Sequence, residues 1–157
     1  MGHGGEWLIF MLDNQLFGVS VQHAEQIIRM QSYTEVPESP AYLKGVINLR
    51  GAIIPLIDLR MKLGKPEVEP TTQTCIIVNK VGDSQFGFIV DNVEAAVTFE
   101  DEDIKSIPQF QGGRSNKDFL LGIAYHNSKA VLLMDVEKVF SADENEIIFN
   151  ASDLDIE

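Results

Sequence analysis

The residues whose types suit them for chemistry are a few aspartates, two histidines, a lone cysteine and an arginine on a tight turn. Asp58, Asp91 and Asp135 each close an apolar run. A general acid–base pair must converge within a few ångströms with its two pKa values pushed apart. These three instead stand at strand ends, where aspartate serves as a turn former. His23 and His126 have no partner at metal-ligand spacing, and His3 lies in a glycine-rich leader. Cys75 has apolar neighbours, which raise a thiol pKa, and no histidine at motif spacing, so it reads as a small core residue. The chain has no P-loop, dinucleotide fingerprint or nucleophile elbow, and Gly112-Gly113-Arg114-Ser115 lacks the framing of a phosphate site. What remains is Arg50 within Asn48-Leu49-Arg50-Gly51. A guanidinium on a rigid turn suits recognition. The chemistry on offer is binding: no enzyme, metal or cofactor is expected.

The element that must position Arg50 is legible around it. Residues 45–60 read Gly-Val-Ile-Asn-Leu-Arg-Gly-Ala-Ile-Ile-Pro-Leu-Ile-Asp-Leu-Arg, two β-branched runs around a short polar turn, which predicts a β-hairpin. The chain also repeats itself. Gln15-Leu16-Phe17-Gly18-Val19-Ser20-Val21 and the following Ala24-Glu25 and Ile27-Ile28 return 69 residues later. The second copy reads Ser84-Gln85-Phe86-Gly87-Phe88-Ile89-Val90, then Val93-Glu94 and Ala96-Val97. Trp7-Leu8-Ile9 matches Ile76-Ile77-Val78 at the same offset. Gly45 precedes Asp58 by 13 residues and Gly122 precedes Asp135 by 13, now at an offset of 77, so the second copy carries an insertion around 111–117. Arg50 then corresponds to Asn127 and Asn48 to Tyr125, so the first copy has a turn chemistry that the second lacks.

Two copies are too few for a solenoid, and each reads as a small β unit of about five short strands. Continuous apolar runs such as Ala52–Ile57 and Cys75–Val78 suit strands buried on both faces, as lobe-on-lobe packing would require. Helix is expected to be scarce. Val21, Ala24, Ile27 and Ile28 keep helical spacing with Ser20 as an N-cap, which predicts one short helix over 20–30. Met61–Gly64 is at most one turn, and Val136–Phe140 begins a second short helix.

The chain has 157 residues, 12 basic against 24 acidic, and a net charge of −12. That surface disfavours nucleic acid and anionic lipid. A single cysteine and no CxxC fit a reducing compartment, and no apolar run nears the about 18 residues that span a bilayer. A cytoplasmic location is therefore expected. Residues 142–157 carry six acidic side chains and no Lys or Arg, and read as an acidic tail whose removal after about Ala142 leaves the fold intact. Residues 1–5 read as a flexible leader.

Over residues 6–141 the chain resembles the CheW family, the coupling proteins of bacterial chemosensory arrays, through its glycines, the Asn-Leu-Arg-Gly turn, Pro55 and Asp58-Leu59-Arg60. The resemblance implies a mostly β fold, with two SH3-like five-stranded β-barrel lobes sharing a hydrophobic core and one or two short helices. Lobe 1 would span about 14–80, and lobe 2 about 6–13 plus 81–141, with the N-terminal strand exchanged. The partners implied are the regulatory domain of a CheA-type histidine kinase and the cytoplasmic tip of a chemoreceptor. By position in the family, Ala24, Gly45, Arg50, Val93 and Ala96 would contact the receptor, and Lys105 and Phe110 the kinase or ring neighbours. Gln26 stands where many members carry glutamate, which removes a charge from that face. The alternatives are an adaptor for a parallel pathway controlling pili or gliding, and a β domain that binds a small ligand. The latter needs convergent polar groups in a pocket, of which only Arg50 stands out.

Overall fold

The doubly apolar runs of the sequence become strands that are covered on both sides. A computed structural model describes residues 2–107 and 119–140 together with Glu144 and Ile148. The first strands are β1 (Gly5–Leu12), β2 (Gln15–Ser20), β3 (Ala24–Arg29), β4 (Leu43–Leu49) and β5 (Ala52–Asp58). A four-residue helix α1 (Leu59–Lys62) follows β5. Then come β6 (Cys75–Val81), β7 (Ser84–Val90), β8 (Asn92–Phe99), β9 (Leu120–His126) and β10 (Lys129–Met134). Two 3-10 turns, Asp101–Asp103 and Val136–Lys138, follow β8 and β10.

The strands form two five-stranded sheets, in the orders β8-β1-β2-β10-β9 and β3-β6-β7-β5-β4. We call them the terminal and the central lobe. The sequence repeat maps β1 to β6, β2 to β7, β3 to β8, β4 to β9 and β5 to β10, and under that mapping the two orders are identical. The terminal lobe thus takes β1 and β2 from the first copy and β8 to β10 from the second, and the central lobe takes β3 to β5 from the first and β6 and β7 from the second. The strand grouping differs from the expected boundaries at 14–80 and 81–141 in two strands: β2 stays with β1, and β7 joins β3 to β6. The exchange involves a pair of strands in each direction.

The repeat reaches down to irregularities. The β3–β6 register slips at Glu25 and the β1–β8 register at Glu94, the glutamates that align in sequence. A second pair of slips falls at Lys44 and Leu121, again equivalent. A bulge bends its strand and increases local twist, so matched bulges give the lobes matched curvature.

Alternation divides the side chains between three clusters. On β1, Trp7 and Ile9 enter the interior of the terminal lobe while Leu8, Phe10 and Leu12 enter a core shared by both lobes. On β6, Ile76 and Val78 fill the central lobe and Ile77 joins the shared core. Phe86, Phe88 and Phe140 meet there with ring centroids 5.4 to 6.4 Å apart. The match fails at one place. Where β1 has Phe10, β6 has Asn79, fully buried, its Nδ2 donating to the Ile77 carbonyl at 3.2 Å and its Oδ1 without a partner among the described residues.

Two expectations are corrected. Residues 24–29 form the edge strand β3, not part of a helix over 20–30. The residues past 142 also contribute to the fold: Ile148 is fully buried in the shared core, and Glu144 accepts from the Tyr42 hydroxyl and lies 3.3 Å from Lys62 Nζ. Burial first, and then the bond to Glu144, raise the Tyr42 pKa. The last turn of the 59–64 segment ends as expected, with Gly64 at φ +79°.

Candidate functional site

Leu49 pairs with Ala52, which leaves Arg50 and Gly51 as a two-residue hairpin loop with φ of +54° and +89°. Two positive φ values define the primed turn that matches strand twist, and Asn-Gly is its favoured pair. Asn48 supports the loop through Oδ1, which accepts from the Gly51 N–H at 2.9 Å. Arg50 itself is exposed and makes no hydrogen bond or ion pair with any described residue. A long L side chain in the left-handed region carries a conformational cost. The equivalent tip on β9–β10 puts Asn127 and Ser128, at φ +51° and +67°, in the same turn.

Gly45 lies beneath the surface. A Cβ there would stand 2.3 Å from the Thr34 carbonyl oxygen, whose residue bridges Val46 and closes the free side of β4. Gly122 does the same for Lys105, which bridges Ile123. The glycine therefore has a packing role of its own.

Ala24 and Val93 occupy equivalent positions on the edge strands β3 and β8, and both pack against the shared core. Each lobe thus contributes one of the two to the packing around the shared core. Ala96 is exposed further along β8, opposite Leu8 of β1. Gln26 is half-buried on β3, and its neighbour Ile27 is 46% exposed. Arg50 stands apart on its hairpin. Lys105 is exposed, its Nζ donating to the Glu102 carbonyl at 3.2 Å. Phe110 lies outside the described residues.

Asp58 and Asp135 act locally, whereas Asp91 does not. Asp58 caps α1 by accepting from the Met61 N–H at 3.2 Å, and Asp135 caps its 3-10 turn by accepting from Glu137 at 3.0 Å. Burial pushes the Asp58 carboxyl up, opposed by the Met61 N–H. Burial also raises Asp91, but the Arg60 guanidinium and the Asp13 N–H outweigh it and hold its pKa below the usual range. Burial pushes the Cys75 thiol up, against a bond from the Val93 N–H across the seam. No group of three potential metal ligands occurs among the described residues. Arg60 and Tyr42 had no structural role assigned from sequence, because their partners Asp91 and Glu144 lie far along the chain.

The family model of the CheW-like domain matches residues 6–144. The chain belongs to the CheW family. It is 32% identical to the chemotaxis protein CheW of Klebsiella aerogenes over 95% of this chain and 89% of that one. Against CheW of Rhizobium meliloti identity is 33%, over 91% and 92%. The crystal structure of the scaffolding protein TtCheW from Thermoanaerobacter tengcongensis superimposes with a TM-score of 0.79 at 26% identity, covering 92% of each chain. The two lobes therefore have the SH3-like CheW architecture, and the chain is a chemotaxis adaptor of the CheW type. No described helix is long and apolar enough to cross a membrane.

Proposed function

We propose that the chain couples the cytoplasmic tip of a chemoreceptor to the regulatory domain of a CheA-type histidine kinase, as a non-enzymatic member of a cytoplasmic array. The observation that carries this reading is Arg50, an exposed guanidinium without a partner among the described residues, held on a turn whose backbone favours Asn or Gly. Ala24, Gly45, Val93 and Ala96 are assigned to the same receptor contact, Gly45 through the backbone that it allows to close. Lys105 and Phe110 are assigned to kinase or ring contacts, for which disrupted ring assembly in Lys105→Asp with Phe110→Ser, at unchanged melting temperature, is the check. Binding of a receptor tip and of a kinase regulatory domain, measured separately, tests the reading. Arg50→Ala weakens the first by tenfold or more, as an interface arginine does, and leaves the second and the melting temperature unchanged. Equal receptor affinity in the variant and the parent chain would remove Arg50 from the interface.

A further inference from the structure

The chain passes between lobes at β2→β3 and at β7→β8, and the two passages are built differently. At the second, the single residue Asp91 separates β7 from β8. Its N–H donates to the Met11 carbonyl at 3.1 Å, and its carboxylate accepts from the Asp13 N–H at 2.9 Å. Arg60 of α1 closes on the same carboxylate as a fork, Nε to Oδ1 and Nη2 to Oδ2, both at 2.8 Å. Asp13 adds weaker contacts to Arg60 Nη1 at 3.9 Å and to Lys65 at 3.6 Å. One carboxylate thus ties together the helix of the central lobe, the passage itself and the β1–β2 tip of the terminal lobe.

The other passage shows that the fold does not require such a tie. The repeat places Gln22 where Asp91 stands and Glu137 where Arg60 stands, a pair that cannot form a charged fork. That passage is held instead by His23, whose carbonyl accepts from the Lys80 N–H at 2.8 Å and whose Nδ1 lies 3.1 Å from the Lys80 carbonyl. The fork therefore adds something beyond connecting the lobes. Two residues past Asp91 comes Val93, and three further Ala96, the positions of β8 assigned above to the proposed receptor contact.

We infer that Arg60 and Asp91 are a positioning pair: their bidentate bond sets the orientation of β8, and with it of Val93 and Ala96, against the central lobe. Arginine suits this role because its planar fork fixes direction as well as distance, which a lysine does not. The inference rests on the proposed receptor contact, and its physical part can be read without any partner.

The test uses the full chain with Asp91→Asn, Arg60→Lys and the exchanged pair Arg60→Asp with Asp91→Arg. Amide hydrogen exchange over residues 91–99, receptor-tip affinity and kinase-domain affinity are measured for each. Asp91→Asn is expected to speed exchange in β8 at least fivefold while β3 stays unchanged. Receptor affinity falls at least fivefold, and kinase affinity stays within twofold. Arg60→Lys keeps the charge yet loses most of the receptor affinity, and the exchanged pair restores part of it. Parallel loss of both affinities with a falling melting temperature would make the pair merely structural, and unchanged exchange and affinities would overturn the inference outright. If the parent chain binds no receptor tip, the proposed function fails, and the exchange data still decide whether the fork orients β8.

Discussion

At the residue scale, the receptor contact proposed for Arg50 stands against local stability. Its φ of +54° belongs to a turn that favours asparagine. Arg50→Asn is therefore expected to stabilise the chain by about 1 kcal/mol while weakening receptor binding as strongly as Arg50→Ala does; thermal melting beside a binding titration checks both. A melting temperature that falls would mean that the guanidinium supports the fold. Asp58 makes a second test. Its carboxyl is raised mainly by burial, with Glu67 adding and Lys44 and the Met61 N–H opposing. A raised folded pKa means that the folded state holds the proton more tightly than the unfolded one. Stability from this group is thus present at low pH and declines as pH rises from about 4 through the folded value. Asp58→Asn keeps the cap acceptor and removes the buried charge, so its melting temperature exceeds that of the parent at pH 7 and the gain fades towards pH 4. Asp91 runs the other way: its depressed pKa gives stability above about pH 4 that is lost as pH falls through the lower folded value. A lower melting temperature for Asp58→Asn at pH 7 would show that the ionised form is the stabilising one.

At the scale of elements, the hairpin at 45–60 was legible because everything that specifies it is local: β-branched runs, an Asn acceptor and a Gly at φ +89°. β3 was not legible, because Val21, Ala24, Ile27 and Ile28 satisfy helical spacing by coincidence, and its true inward set, Ala24, Gln26 and Ile28, includes a polar residue. The signal that could have settled it was in the second copy. Val93, Ala95 and Val97 alternate cleanly in β8, and the repeat aligns β3 with that strand. The site divides in the same way. The turn at Arg50 could be read from its neighbours, whereas the packing of both Ala24 and Val93 on the shared core depends on strand exchange, which no local pattern encodes. Gly45 belongs at this scale too. A Cβ at 2.3 Å from Thr34 O must push backbone aside, so Gly45→Ala is expected to cost about 1–3 kcal/mol and to speed amide exchange at Thr34 and Val46. Receptor binding lost without either change would make Gly45 a direct contact.

At the scale of the molecule, reciprocal exchange makes the lobes interdependent, since each sheet holds strands from both copies. The C-terminal segment adds to this, with Phe140 stacked on Tyr42 and edge-to-face with Phe86, and Ile148 buried in the shared core. Its acidity hid this role, because six carboxylates in the last 16 residues outweigh a few apolar side chains in any compositional reading. Truncation after Ala142 removes the buried Ile148, worth about 1.5–3 kcal/mol, together with the Glu144 contacts. It should lower the melting temperature by about 5 °C or more, and an unchanged melt would return the segment to a dispensable tail. Interdependent lobes offering separate surfaces are what an adaptor needs, and the central claim is that one copy holds receptor and kinase at once. The direct measurement is capture of a kinase regulatory domain on immobilised receptor tip, with and without this chain. The account predicts kinase capture only when the chain is present, and its loss with Arg50→Ala while the variant still binds the kinase domain in solution. Binding of either partner that excludes the other, or capture that is indifferent to Arg50, would contradict it.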